Sequence, residues 1–303
     1  MDPLQKLNQL RADHDTDRPG TLAALAELAL TLDEELGAYA QLVNHVVGDE
    51  ERDRPLAVTL LSRLLARKPE DETGLVGAHL AVALFLNGDS TEALEAELAA
   101  RHPGVPIIGW IRLRCAESLV QAKEMEAGAV LVTATFDGPL LAGTAHASNF
   151  DRPIAVACNN LATGLFEAPM ISRIGAEAIE RTALLSRTCW IRCGSWVQHE
   201  RADYLLALAY NALRRHDLAE DAARHGLDLI AAHEGEAVDR AFLTVELALA
   251  LDRLGRAEEA AAARQEALQL AEPFRENAFL APWFDGQFAR IDGELPVLVS
   301  PEA

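Results

Sequence analysis

Tyr204-Leu-Leu-Ala-Leu-Ala-Tyr-Asn-Ala-Leu213, followed by Asp217-Leu-Ala-Glu-Asp-Ala-Ala-Arg-His-Gly-Leu227, decides how the rest of the chain is read. Both segments place apolar residues at the three- and four-residue spacing of one helix face. Only Arg214, Arg215 and His216 separate them, and so short a connection makes two helices antiparallel neighbours. Within the pair, Ala207, Ala219 and Gly226 stand 12 and 7 residues apart. A small residue midway along the first helix lets the second approach closely, and small residues on the second let a further pair stack on it.

The same 12 and 7 spacing returns at Ala248, Ala260 and Ala267, and again at Ala81, Ala93 and Ala100. Asn159-Asn160-Leu161-Ala162 opens a similar unit with Ala176 and Ala183 on its second helix, the first step being 14 residues. Helical periodicity predicts helices near 21–46, 54–67, 72–87, 90–101, 106–122, 124–136, 139–147, 152–167, 171–192, 196–215, 218–233, 238–254, 256–271 and 277–291. Short punctuation such as Asn87-Gly88-Asp89 and Asp137-Gly138-Pro139 separates them. The β-branched run from Ala129 to Phe136 is the one strand candidate. A lone strand leaves its backbone groups unpaired in a helical array, so it is read as helical. Ser195 with Gln198 forms a capping-box pattern, and Asp89 with Glu92 and Asp217 with Glu220 repeat it with a carboxylate. Gly194 suits a left-handed residue ending the preceding helix.

These segments, together with Glu246-Leu-Ala-Leu-Ala-Leu251 and Leu254-Gly-Arg-Ala-Glu-Glu-Ala260, resemble the tetratricopeptide repeat, whose unit is two antiparallel helices. Trp196-Val-Gln-His-Glu-Arg-Ala-Asp-Tyr-Leu-Leu-Ala207 looks like a segment of bacterial repeat proteins with no assigned activity. The resemblance covers 152–272 best and 54–103 less well. It departs from the pattern in the step from Ala207 to Ala248, which is 41 residues against about 34 in the standard repeat. The expected fold is all-α, a right-handed α-solenoid of antiparallel helical hairpins. Residues 1–150 form degenerate hairpins, 151–272 the better repeats, and 273–303 an aromatic capping helix and loose tail. A terminal repeat exposes an apolar face, and Phe274, Phe279, Trp283, Phe284 and Phe288 supply a cover for it.

Composition agrees with helices and narrows the function. Half of the residues are hydrophobic but only 5% aromatic, a bias toward close packing through small side chains. The formal net charge of −20 argues against nucleic-acid binding and against docking to anionic lipid, and it favours a basic or neutral partner. No stretch is long and apolar enough to span a bilayer, and the first residues lack the apolar core of a secretory signal, so a cytoplasmic location is expected. Cys115, Cys158, Cys189 and Cys193 are too few for a disulfide framework in 303 residues. Cys189 and Cys193 lie one helical turn apart with His199 and Glu200 following. That spacing is poor for zinc, so buried structural cysteine is the expectation, with no metal and no cofactor. No phosphate loop and no nucleophile turn is present, and an enzyme is not expected.

A non-catalytic scaffold binding a peptide or protein partner is the expected function, with a ligand- or peptide-responsive regulator as the alternative; a homodimer stays open. In repeats of this family the first helices line a concave groove. Counting from the mid-helix small residues places Val156, Asn159, Thr163 and Phe166 there from one unit. The next gives Arg201, Tyr204, Leu208 and Asn211, and the third gives Phe242, Val245, Leu249 and Asp252. The same residues would serve equally as inter-helix core, since apolar periodicity does not separate the two.

Overall fold

In the computed structural model, residues 2–168, 170–233 and 235–293 and the backbone of 297–298 are described, and they are almost wholly helical. The chain divides into two compact units. One holds residues 1–124 and 134–150, the other 125–133 and 151–303.

The N-terminal unit contains α1 (Pro3–Asp13), α2 (Arg18–Thr31), α3 (Leu36–Val43), α4 (Arg54–Arg67), α5 (Leu75–Asn87), α6 (Glu92–Arg101) and α7 (Ile107–Gln121). α1 was not among the expected helices, although Asp2 caps it through the Gln5 amide and Pro3 sits in its first turn. The single helix expected over 21–46 is two. α2 ends at Thr31, Leu32 turns extended, and Arg67 of α4 donates to the Leu32 carbonyl and to Asp33. The bonds that end the helix come from 35 residues away, out of reach of local periodicity. After α3 the chain widens its register into a π-helical segment, Asn44–Glu50. Leu25, Leu28, Tyr39, Val43, Val46, Leu60, Leu61 and Leu64 form the core between these elements.

Ala81 is buried on α5, but Ala93 and Ala100 are exposed. The third 12 and 7 match is therefore not a packing stripe, because α6 turns Leu98 inward instead. Asp89 is no cap either: α6 begins at Glu92, and Asp89 accepts from the Asn87 side chain at 2.8 Å.

The expected helix 124–136 is α8 (Met125–Asp137), with residues 125–133 counted in the C-terminal unit. That unit continues with α9 (Asp151–Phe166), α10 (Arg173–Cys193), α11 (Trp196–Ala212), α12 (His216–His233), α13 (Ala237–Arg253), α14 (Ala257–Ala271) and α15 (Leu280–Ala289). The pairs α9/α10, α11/α12 and α13/α14 pack most closely, and α9, α11 and α13 touch side by side. Ala207, Ala219, Ala248 and Ala267 are fully buried at these contacts. A Cβ on Gly226 would lie 3.0 Å from Leu243, so glycine sets how closely α12 meets α13.

Ser195 and Gln198 form the capping box of α11, with Gln198 Oε1 accepting from the Ser195 amide at 2.8 Å. Gly194 is not left-handed. Its φ of −98° and ψ of 172° are extended, and glycine is required because a Cβ would lie 2.7 Å from Gln198 Cβ and 2.8 Å from the Trp190 carbonyl. Phe274, Phe284 and Ile291 are buried, the first two against Phe242 of α13, while Phe279 and Trp283 stay exposed. Met170–Ile171 pairs in parallel with Val297–Leu298. The rest of the expected loose tail, 294–296 and 299–303, lies outside the described residues. No helix among the described residues is long and apolar enough to cross a membrane.

Candidate functional site

Helices α9, α11, α13 and α15 surround a cavity of about 900 Å³ inside the C-terminal unit. Each contributes residues at helical spacing. Asn159, Thr163 and Phe166 come from α9; Glu200, Arg201, Tyr204, Leu205, Leu208 and Ala212 from α11; Asp239 and Phe242 from α13; and Trp283, Gln287 and Arg290 from α15 and the residue that caps it. Phe242 joins two walls, its ring meeting Tyr204 edge-on at 6.2 Å and Trp283 at 4.4 Å.

Seven of the groove residues expected from sequence line this cavity: Asn159, Thr163, Phe166, Arg201, Tyr204, Leu208 and Phe242. Val156 is half-buried and does not line it. Val245 and Leu249 are sealed inside the unit, as is every residue from Ala241 to Leu251. α13 is packed by α11, α12, α14 and α15, which leaves no free face over that stretch. Asn211 is also buried, donating to the Glu246 carbonyl and to Glu246 Oε2, each at 2.9 Å. Asp252 sits away from the cavity beside Arg253 at 3.2 Å.

Glu200 is the feature that groove counting overlooked. It has no exposed surface, and no cation, amide or hydroxyl donates to either carboxyl oxygen; its one polar neighbour is the Asp239 carboxylate, with which a protonated Glu200 shares its proton. The nearest cation, Arg201 Nε, is 3.6 Å from Oε1 and is engaged elsewhere, donating to Asp239 at 2.8 Å and to Glu236 at 3.1 Å. Carboxyl oxygens of Glu200, Glu236 and Asp239 all lie within 4.8 Å of one another. Burial, and then the Asp239 carboxylate beside it, push the Glu200 carboxyl up to about 9, so at neutral pH it carries a proton. The Tyr204 hydroxyl one turn along is also buried without a partner, and burial raises it well above the usual phenol range.

The other buried carboxylates are treated differently. Glu246 accepts from Arg290 at 2.6 Å and from Asn211. Asp203 accepts from Arg187 at 2.5 Å and lies 2.6 Å from His225. Arg192 grips Asp151 with two nitrogens at 2.9 and 2.6 Å. Glu117 pairs with Arg114, and Asp71 accepts from the Gly77 amide and the Thr73 hydroxyl. A buried ionisable group without a partner is costly, so such groups are regularly paired. Glu200 departs from that rule at the wall of a cavity.

Sequence carried a signal for it. Glu200, Tyr204 and Leu208 are four residues apart and share one stripe of α11, as Trp283, Gln287 and Arg290 share one of α15. The cysteine cluster does not assemble. Cys189 is buried, with its thiol pushed up to about 12 by burial; Cys193 is exposed; and His199 turns to the Trp190 carbonyl at 3.1 Å. No protein-family model matches the chain, and a search of curated proteins finds no match to it.

Proposed function

We propose that the chain is a non-catalytic binding protein of the tetratricopeptide type, acting in the cytoplasm. It holds an extended peptide or protein segment, through a basic side chain, in the cavity of its C-terminal unit. The observation that carries this reading is Glu200, a sealed carboxyl with no donor, facing a cavity whose other walls are Tyr204, Phe242 and Trp283. A guanidinium or ammonium group supplies the donors that Glu200 lacks. Its methylene stem packs on the aromatic rings, and the cation is favoured over their faces. The net charge of −20 draws a basic partner toward the site.

The repeat reading is supported by the close pairing of α9/α10, α11/α12 and α13/α14, taken as antiparallel hairpins of a right-handed solenoid. It is supported too by a recurring cross-link. Asn44 donates to the carbonyl of His79 and Asn211 to that of Glu246, each 35 residues on, close to the length of about 34 for one repeat. The described residues lining the cavity include no histidine, cysteine, serine or lysine, which favours binding over catalysis.

The test is an array of extended peptides differing at one central residue, probed with the full-length chain. Arg and Lys peptides are expected to be retained, and Glu200→Gln and Trp283→Ala to lose them. Equal retention of Leu and Glu peptides defeats the reading. The cavity volume also lies within the about 300–1,000 Å³ typical of small-molecule sites, which favours a second reading as a ligand-responsive regulator. A thermal shift with small organic amines, in a chain that retains no peptide, selects that reading.

A further inference from the structure

A second cluster lies in the N-terminal unit and has no part in the cavity. His14 follows the end of α1, and His45 and Glu50 stand on the π-helical segment after α3. One ligand-capable atom from each lies within 4.8 Å of the other two. His45 Nε2 is 3.5 Å from Glu50 Oε1, and the two imidazoles meet edge to face with centroids 5.2 Å apart.

The backbone makes this meeting. In an α-helix, residues five apart diverge by about 140° around the axis, at about 100° per residue. The π-helical i→i+5 register, closed by the Glu51 amide on the Val46 carbonyl at 3.0 Å, brings His45 and Glu50 nearly into line. Such segments recur at functional sites. A polar atom is left over here as well: His14 Nδ1 is buried with no hydrogen-bond partner. Arg18 stands 3.4 Å from Glu50 Oε2 and 3.2 Å from Glu51, which holds the carboxylate by one oxygen and leaves Oε1 toward His45. A ligating carboxylate fixed from behind in this way is ordinary metal-site construction.

We propose that His14, His45 and Glu50 form a binding site for a divalent transition-metal ion, with solvent completing the coordination. Two imidazoles and one carboxylate suit zinc and its first-row neighbours, not calcium or magnesium, which take oxygen donors. Metal–ligand bonds near 2.0–2.1 Å at tetrahedral angles separate ligand atoms by about 3.3 Å, close to the His45–Glu50 distance and reached at His14 by a small closure. The partial exposure of all three side chains, 17%, 45% and 21%, leaves an open side for water. The expectation of no metal was drawn from the Cys189–Cys193 spacing, and this cluster involves neither cysteine.

The test uses the full-length chain, stripped with a chelator and titrated with zinc against a chromophoric indicator under reducing conditions. Cobalt serves as a spectroscopic stand-in. Uptake of one zinc per chain is expected. His14→Ala and His45→Ala should each weaken it by more than about 100-fold, beyond the about 10–100-fold typical of an outer-shell partner. Glu200→Gln, in the other unit, should leave uptake unchanged. His45 is 45% exposed and its variant is expected to fold, which circular dichroism verifies. Absence of stoichiometric uptake overturns the proposal. So does uptake that survives His45→Ala, or that is lost on Cys193→Ser instead.

Discussion

His79 in the N-terminal unit and Glu200 in the C-terminal unit are both ionisable side chains sealed from solvent, and their surroundings differ. His79 Nδ1 accepts from Asn44 Nδ2 at 3.0 Å, and its ring packs edge-on against Trp110 at 4.8 Å. Burial, with Arg114 adding to it, lowers His79 to about 3, so it stays neutral and fits a finished core. Glu200 has the same burial and no such partner. A buried polar group satisfied by its own chain specifies packing, while one left open at a cavity wall is stable only as a neutral acid or with a ligand. Glu246, on the neighbouring helix, is the internal control: equally buried, but paired with Arg290 and Asn211.

The strongest way to break this contrast is to make Glu246 resemble Glu200. Arg290→Ala removes the guanidinium and leaves a buried carboxylate with the Asn211 amide alone. The expected cost is about 3–5 kcal/mol, read by chemical denaturation at pH 7. A loss below 1 kcal/mol would mean that pairing does not distinguish the two sites.

Next in size is Glu200→Gln. The folded chain keeps a proton on Glu200 up to about 9, whereas the unfolded carboxyl releases it near 4.5, so the folded state binds more protons across that window. Stability from this group is full below 4.5 and is lost as pH rises toward 9. Glu200→Gln is expected to be more stable than the parent by about 1–3 kcal/mol at pH 8, with the difference gone at pH 4.5. A variant that is less stable at pH 8 shows that Glu200 is structural.

The smallest effect carries the opposite sign. His79 stays neutral down to about 3 while the unfolded imidazole takes a proton near 6.5, so its contribution is full above 6.5 and is lost as pH falls toward 3. His79→Leu should cost about 1 kcal/mol at pH 8, since Asn44 keeps its bond to the residue 79 carbonyl, and the gap should close and then reverse as pH falls toward 4. A gap that stays constant with pH shows that His79 does not titrate as described.

The sequence made the packed helix pairs α11/α12 and α13/α14 legible because Ala and Leu periodicity runs uninterrupted on either side of three-residue turns. It was less informative where ends are set from a distance, as where Arg67 stops α2 at Leu32. Alanine spacing misled at Ala93 and Ala100, because alanine is abundant and α6 packs through Leu98. Groove and core share one periodicity: Tyr204 and Leu208 line the cavity, while Val245 and Leu249, read in the same way, are enclosed by four neighbouring helices. The Glu200 carboxyl was visible on the α11 stripe, but its hold on a proton also depends on Asp239, which sits on α13.

Calorimetric titration of the full chain with short Arg-containing peptides, in two buffers of different ionisation enthalpy at pH 7, tests the central claim most directly. The account predicts binding with release of about one proton per peptide, because the arriving cation displaces the proton held by Glu200. Glu200→Gln should abolish both the release and most of the affinity. Binding of matched Leu peptides as tight as that of Arg peptides, with no proton released, would contradict it.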